Sequence, residues 1–396
     1  LAWSIYHRGM AVNDSGIPKK IWLVHDWLTG MRGGEKVLLR LSRLFPDASI
    51  ATLFVDRTAI DPELARRVKA VSVLQHVPGM TRHYRKLLPI LPAAVRTIRI
   101  PRCDLVISIS HCVAKGVRVP AGARHLCYCL APMRYIWEPA ELYFGAQRGA
   151  ARAALDAFTP LLRRIDRRQN EDVDSFATTC RNVAERIDRH YRRAARIIYP
   201  GIDLLSSTDM DGGNSIAAES HDDFFLIVGA LVPYKRVDLA VAAFAQRPER
   251  KLIIIGKGPA EQALRAMASG AGNITFLGWQ PDAIVRAHYA RCRALLFPGE
   301  EDFGLVPLEV QAAGRPVIAF GRGGVLETVR PFPASATPTG VLFSEQSPDA
   351  VNAAIDLFEQ HANAFSSAAA RQKAERFQWE AFDRGILEWV HEQTNH

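Results

Sequence analysis

The sequence holds no stretch long and apolar enough to cross a membrane as a helix, which takes roughly 18–20 apolar residues in a row. Its opening residues, "LAWSIYHRGMAVNDSGIPKK", lack the layout of a signal peptide, because their apolar stretch is short and interrupted. Residues 1–18 are read as an N-terminal extension that takes no part in the fold. Cysteine is scarce: Cys103, Cys112, Cys127, Cys129, Cys180 and Cys292 stand at spacings that match no zinc site. The lone C-x-C of "HLCYCLAP" reads instead as small buried residues of a reduced, cytoplasmic protein. The dinucleotide fingerprint is incomplete as well. "IIIGKGPAE" offers Gly256 and Gly258 but has Glu261 where the third glycine belongs, and no acid at the end of the next strand suits a ribose.

What the chain does have is positive charge, +9 at pH 7. A basic balance favours anionic partners: nucleotides, nucleic acid or an anionic lipid surface. The basic residues are not interleaved with aromatics as a single-strand groove requires, so no nucleic acid is expected. They gather in Arg82–Arg102 and Leu161–Gln169. Short apolar runs alternate with amphipathic helical patterns almost throughout, which predicts an α/β protein with mostly parallel sheets. "IWLVHD", "DLVISIS" and "RHLCYCL" read as strands of a first domain over 19–203, and "GGEKVLLRLSRLF" as a helix. The Ser-, Asp- and Gly-rich stretch 204–221 reads as a linker. Alternation then restarts as a second doubly wound domain over 222–377, with a final helix over about 378–396 crossing back. Two such domains facing each other are expected to leave a cleft between the carboxyl ends of their strands.

The chemistry concentrates in a few segments. In "FPGEEDFGLVPLEVQAAGRPVIAF" a helix is predicted from Gly304 to Ala313 between two strands, with Pro307 suiting its first turn and Gly314 and Pro316 ending it. Its N-terminus would offer backbone N–H groups to a phosphate. The carboxylates Glu301 and Glu309 cannot bind that phosphate, but they can accept hydrogen bonds from sugar hydroxyls. Acids that merely complement the helix dipole, or a metal site, are the alternatives. "VGALVPYKRVDLA" places Lys235 and Arg236 at another helix start, a pair suited to a diphosphate. Gly33 and Gly34 lie in a strand-to-helix turn that allows close backbone approach. His111 in "ISHCVAKGV" and Arg134 in "LAPMRYIWE" follow strand ends.

Taken together these segments, with "CRNVAERI", "IIYPGID" and "GRGGVLETV", resemble the retaining glycosyltransferases of family 4, whose two-Rossmann-domain architecture is called GT-B. The most specific element is the E-x7-E stretch "EDFGLVPLE". The order of segments is similar to the bacterial branch that builds O-antigen or exopolysaccharide, where mannosyltransferases are prominent. The resemblance implies a hexose moved from a nucleotide-sugar donor, GDP-mannose foremost, to a glycolipid (lipid-diphosphate-linked) or oligosaccharide acceptor, with no metal cofactor. It implies that Glu301 meets the donor sugar, that Phe303, Gly304 and Leu305 present backbone amides, and that Glu309 holds the ribose. Lys235, with Arg236, would neutralise the diphosphate. Gly33, Gly34 and Arg134 would line the cleft, His111 would stand beside the reacting sugar, and Trp279 of "FLGWQPD" would border the base. Two residues depart from the pattern: Ala230 stands where relatives often carry Arg, and Leu130 where many carry His. Open alternatives are a UDP- or ADP-sugar donor, an epimerase or phosphorylase on the same fold, and a degenerate sugar-binding subunit. The basic and apolar stretch Arg82–Arg102 is expected to rest on an anionic membrane, placing the protein at the inner face of the cytoplasmic membrane.

Overall fold

The computed structural model describes residues 18–138, 150–204 and 222–394, so all but Pro18 of the extension read over 1–18 and all but Leu204 of the linker read over 204–221 lie outside the described residues. The described residues form two compact units, one running up to Pro200 and resuming at Glu380, the other spanning Gly201–Trp379.

The first unit is built on β1 (Ile21–His25), β2 (Ser49–Thr52), β3 (Val68–Val71), β4 (Leu105–Ser110), β5 (Arg124–Cys129), β6 (Ser175–Thr178) and β7 (Ala195–Ile197). They form a sheet of order β3-β2-β1-β4-β5-β6-β7 in which every pairing is parallel. Parallel strands covered on both faces read as unbroken apolar runs, and all five residues of β1 and all six of β4 are buried. The glycine turn after β1 leads into α1 (Gly33–Leu44), whose Val37, Leu38 and Leu41 are buried. Two further helices, α2 (Ala150–Gln169) and α3 (Arg181–Tyr191), complete the part described below. All six cysteines of the chain are buried and unbridged.

The second unit repeats the plan with β8 (Phe225–Val228), β9 (Leu252–Ile255), β10 (Ile274–Gly278), β11 (Ala294–Phe297), β12 (Val317–Phe320), β13 (Pro331–Phe332) and β14 (Gly340–Phe343). The order is β10-β9-β8-β11-β12-β14-β13, again parallel throughout. Helix α4 (Val237–Ala245) follows β8, and α5 (Leu305–Ala312) joins β11 to β12. In each sheet the strand order reverses beside the first strand, between β1 and β4 and between β8 and β11. Open α/β sheets bind ligands at the carboxyl ends of such strand pairs.

The last helix, α6 (Trp379–Thr394), buries Phe382, Ile386, Trp389 and Val390. Phe382 meets Tyr128 of β5 edge-on at 5.6 Å, the Trp389 indole N–H donates to Ser175 Oγ at 3.0 Å, and Arg40 of α1 pairs with Asp383 at 2.6 Å. At roughly 1.5–3 kcal/mol for each buried apolar side chain, this helix contributes on the order of a domain's whole net stability.

Part of the apolar stripe of Arg82–Arg102, the segment expected to rest on a membrane, turns inward. The segment folds into short helical turns whose Leu88, Leu91, Val95 and Ile98 are buried in the core of the first unit, leaving Ile90 exposed. Its apolar residues mostly serve that core. The side chains of Arg82, His83, Arg85 and Lys86 lie outside the described residues.

Candidate functional site

In the second unit a recess opens at the carboxyl ends of β8 and β11, lined by Gly229, Ala230, Lys235, Pro298, Gly299 and Glu301. Lys235 closes a one-turn helix after β8, and Glu301 follows β11 by four residues. Their side chains meet there, Lys235 Nζ to Glu301 Oε1 at 2.7 Å, with 16% and 20% of each exposed. The recess depends on the bare backbone of Gly229: a Cβ there would stand 2.8 Å from Lys235 Nζ. Glu301 is held by its own backbone. It bridges to Gly323, and Gly324 N–H donates to the Glu301 carbonyl at 3.0 Å. The glycines of "GRGG" after β12 thus support Glu301, a role sequence reading did not assign to them.

Gly304 makes the turn into α5 with φ 76°, a conformation that favours glycine. Phe303 packs its ring on Phe377 at 5.9 Å and is buried, so it acts in the fold through its side chain. No acid stands in the first turn of α5, which begins at Leu305. Further along α5, Glu309 Oε2 accepts the Tyr289 hydroxyl at 2.9 Å. Tyr289 is buried, and burial followed by the Glu309 charge holds its hydroxyl protonated far above the usual range. Trp279 stands just past the carboxyl end of β10 and is 67% exposed. Arg236 is adjacent to Lys235 in sequence but is turned away from it. Its φ of 49° caps α4, and its guanidinium meets Asp238 at 3.1 Å and Gln346 at 3.2 Å.

In the first unit, Asp26 directly follows β1 and is fully buried. Its carboxylate accepts the backbone N–H groups of His111 (2.7 Å), Cys112 (3.0 Å), Val113 (2.6 Å) and Ala114 (2.7 Å). It also faces His111 Nδ1 at 3.0 Å. Despite burial, which favours the neutral acid, the His111 charge and these donors hold the Asp26 carboxyl well below its usual range. Burial likewise opposes charge on His111, but the Asp26 carboxylate outweighs it and raises that imidazole above its usual range. His25, opposite Ile109 in the sheet, is buried; burial lowers it, its Nδ1 lies 3.1 Å from the Ile109 carbonyl, and its Nε2 has no hydrogen-bond partner. Gly33 begins α1. Gly34 packs so closely that a Cβ would stand 2.9 Å from Leu130 and 3.3 Å from His25, so tight packing explains it without a ligand. Arg134 opens a one-turn helix whose Trp137 donates to Asp166 at 2.7 Å. Asp166 in turn pairs with the buried Lys115 at 2.6 Å. The structure therefore brings Lys235 with Glu301 together in one unit, and His111 with the unforeseen Asp26 and His25 in the other. The polar pair "HD" closing the apolar run "IWLVHD" was the available signal.

Residues 214–392 match the family model described as Glycosyl transferases group 1. The D-inositol 3-phosphate glycosyltransferase of Mycolicibacterium gilvum (strain PYR-GCK) is 30% identical over 252 residues, which cover 59% of this chain and 55% of that protein. The one from Frankia alni is 32% identical over 213 residues, covering 48% and 51%. The chain spans about half the length of the curated relatives it matches. Among solved structures, Anabaena HepE in complex with UDP aligns with a TM-score of 0.66 at 17% identity, covering 94% of this chain and 99% of that one. Sucrose-phosphate synthase from Thermosynechococcus elongatus aligns with a TM-score of 0.68 at 18% identity, covering 94% and 98%. The fold is GT-B.

Proposed function

We propose that the protein is a retaining glycosyltransferase that moves a hexosyl group from a nucleotide-sugar to an acceptor hydroxyl. The observation that carries this reading is the pairing of Lys235 with Glu301 at 2.7 Å beside the start of α5. One cation suited to a diphosphate and one carboxylate suited to sugar hydroxyls stand together in the group 1 glycosyl transferase domain. In this reading Lys235 and the N-terminus of α5 stabilise the negative charge that builds as the bond between the anomeric carbon and the phosphate oxygen breaks. The acceptor oxygen bonds the same face of that carbon, and its proton passes to the departing phosphate. Glu301 holds the sugar, Glu309 with Tyr289 behind it holds the ribose, Trp279 borders the base, and His111 meets the transferred sugar. Lys235 and a helix N-terminus supply the positive charge, so the reading calls on no metal.

Mannose from GDP-mannose is the donor we propose, with a lipid-diphosphate-linked or oligosaccharide acceptor. A UDP-sugar is the second reading, favoured by the UDP complex of the Anabaena neighbour. Among the described residues no helix is long and apolar enough to cross a membrane. Any membrane contact would be peripheral and would fall to exposed Ile90 with the neighbouring basic residues; co-sedimentation that ignores anionic lipid would dismiss it. A thermal-shift panel of GDP, UDP and ADP with their sugars identifies the donor, since a ligand of the folded state raises apparent stability. Lys235→Ala should then lose about 10²-fold or more in transfer rate. Turnover at the wild-type rate would remove Lys235 from the mechanism, and donor that isomerises without any acceptor would point to an epimerase.

A further inference from the structure

The Asp26 carboxylate accepts four backbone N–H groups and faces one imidazole nitrogen. Oδ1 takes the amides of Val113 and Ala114; Oδ2 takes those of His111 and Cys112 and also faces His111 Nδ1 at 3.0 Å. The loop after β4 is wrapped around this one carboxylate, which β1 delivers from the adjacent strand. The wrapping fixes the His111 backbone, and the bond to Nδ1 fixes its ring. Trp27 closes one side of the imidazole edge-on at 4.6 Å. With Nδ1 committed to Asp26, Nε2 is the ring nitrogen left to meet a ligand, and 29% of the side chain remains exposed.

We propose that Asp26 is a positioning residue that holds His111 as an imidazolium, so that His111 meets the substrate as a hydrogen-bond donor through Nε2 and not as a base. This rests on the sugar-transfer reading and deepens it. The groups facing His111 agree. Asp26 just after β1 and Glu35 on α1 favour the cation; Arg32 before α1 opposes it, while burial lowers the neighbouring His25 of β1. An imidazolium cannot take the acceptor's proton, which leaves that proton to the departing phosphate, as same-face transfer requires. It can donate to a sugar hydroxyl or to the developing phosphate charge, in the way charge-assisted donors do.

The two possible roles predict opposite pH dependence. A donor His111 loses function as pH rises through its titration, whereas a base gains it. The test uses the full chain as wild type, Asp26→Asn and His111→Gln. Transfer or donor hydrolysis is measured with GDP-mannose and UDP-glucose in parallel across the histidine range and above, and histidine ring resonances are followed by NMR, with His111→Gln assigning the signal. The wild-type rate should fall on the alkaline side. His111→Gln should lose that limb, and Asp26→Asn should move both the limb and the His111 resonance at least about one pH unit lower. A rate that rises through the His111 titration, or a limb that Asp26→Asn leaves in place, overturns the proposal. Should Asp26→Asn fail to fold, the wild-type resonance and His111→Gln decide: titration at or below the ordinary histidine value, about 6.5, refutes it. If no donor is turned over, the sugar-transfer reading fails, and the NMR titration still judges Asp26 by itself.

Discussion

Replacing Glu301 with glutamine should tighten the binding of a bare nucleoside diphosphate while impairing sugar transfer. The Lys235 ammonium has a carboxylate at 2.7 Å, and an incoming diphosphate must compete for it. With 16% and 20% of the two side chains exposed, the pair is neither a solvated surface bridge nor fully buried. Exposed pairs contribute up to about 1 kcal/mol and broken buried pairs cost about 3–5 kcal/mol, so a value of about 1–2 kcal/mol is appropriate here. Glutamine keeps the shape and an acceptor oxygen but removes the charge, so Lys235 is released to the phosphate. That is a gain of about 5–30-fold in affinity. Isothermal titration of wild type and Glu301→Gln with UDP, GDP and ADP at low and moderate salt measures it. The gain should shrink with salt, because part of it is Coulombic. The intact nucleotide-sugar should benefit less, since its hydroxyls lose a charge-assisted acceptor. An unchanged or weaker affinity for every nucleoside diphosphate would refute the competition, and with it the assignment of Lys235 to the phosphate.

Three further outcomes follow from the same structure. Tyr289→Phe strips Glu309 of its buried donor and should weaken nucleotide binding a few-fold with a stability loss of about 1–3 kcal/mol, measured by titration and urea denaturation. Lys115→Met leaves Asp166 buried, each side chain of the pair being only 1% exposed, and should cost about 3–5 kcal/mol by urea denaturation; adding Asp166→Leu should recover part of it. Asp26 has a depressed native pKa, so its contribution to stability is present above the ordinary aspartate value of about 3.9 and is lost as pH falls through the native value. Asp26→Asn should therefore flatten the acid limb of a stability-against-pH curve, and an acid limb as steep as wild type would contradict the assignment.

The sheets were readable because fully covered parallel strands leave unbroken apolar runs, as "IWLVH", "LVISIS" and "VIAF" do. The positions of Lys235 and Glu301 past strand ends were readable because strand–helix–strand patterning places helix starts at strand ends. Side-chain direction was not. Arg236 follows Lys235 directly, yet a left-handed backbone turns it to Asp238 and Gln346, which adjacency along the chain does not encode. Asp26 escaped notice because its partners are amides 85 to 88 residues away, brought in by strand pairing. In Arg82–Arg102 the direction of the apolar residues was not readable, because an apolar stripe facing a lipid and one facing a core have the same composition. Only the fold shows Leu88, Leu91 and Val95 turned inward.

The return of α6 to the first unit sets an order in time. The first sheet is synthesised by Ile197, but Tyr128 and Ser175 wait for Phe382 and Trp389, about 185 to 192 residues after Ile197. At translation rates of roughly 5–20 residues per second that interval is on the order of 10–40 s. The second unit can fold as it emerges, while the first must hold part of its apolar surface uncovered until the final helix arrives. A ribosome that stalls or stops before residue 380 would thus release an N-terminal unit lacking its last layer, a species suited to capture by chaperones or proteases.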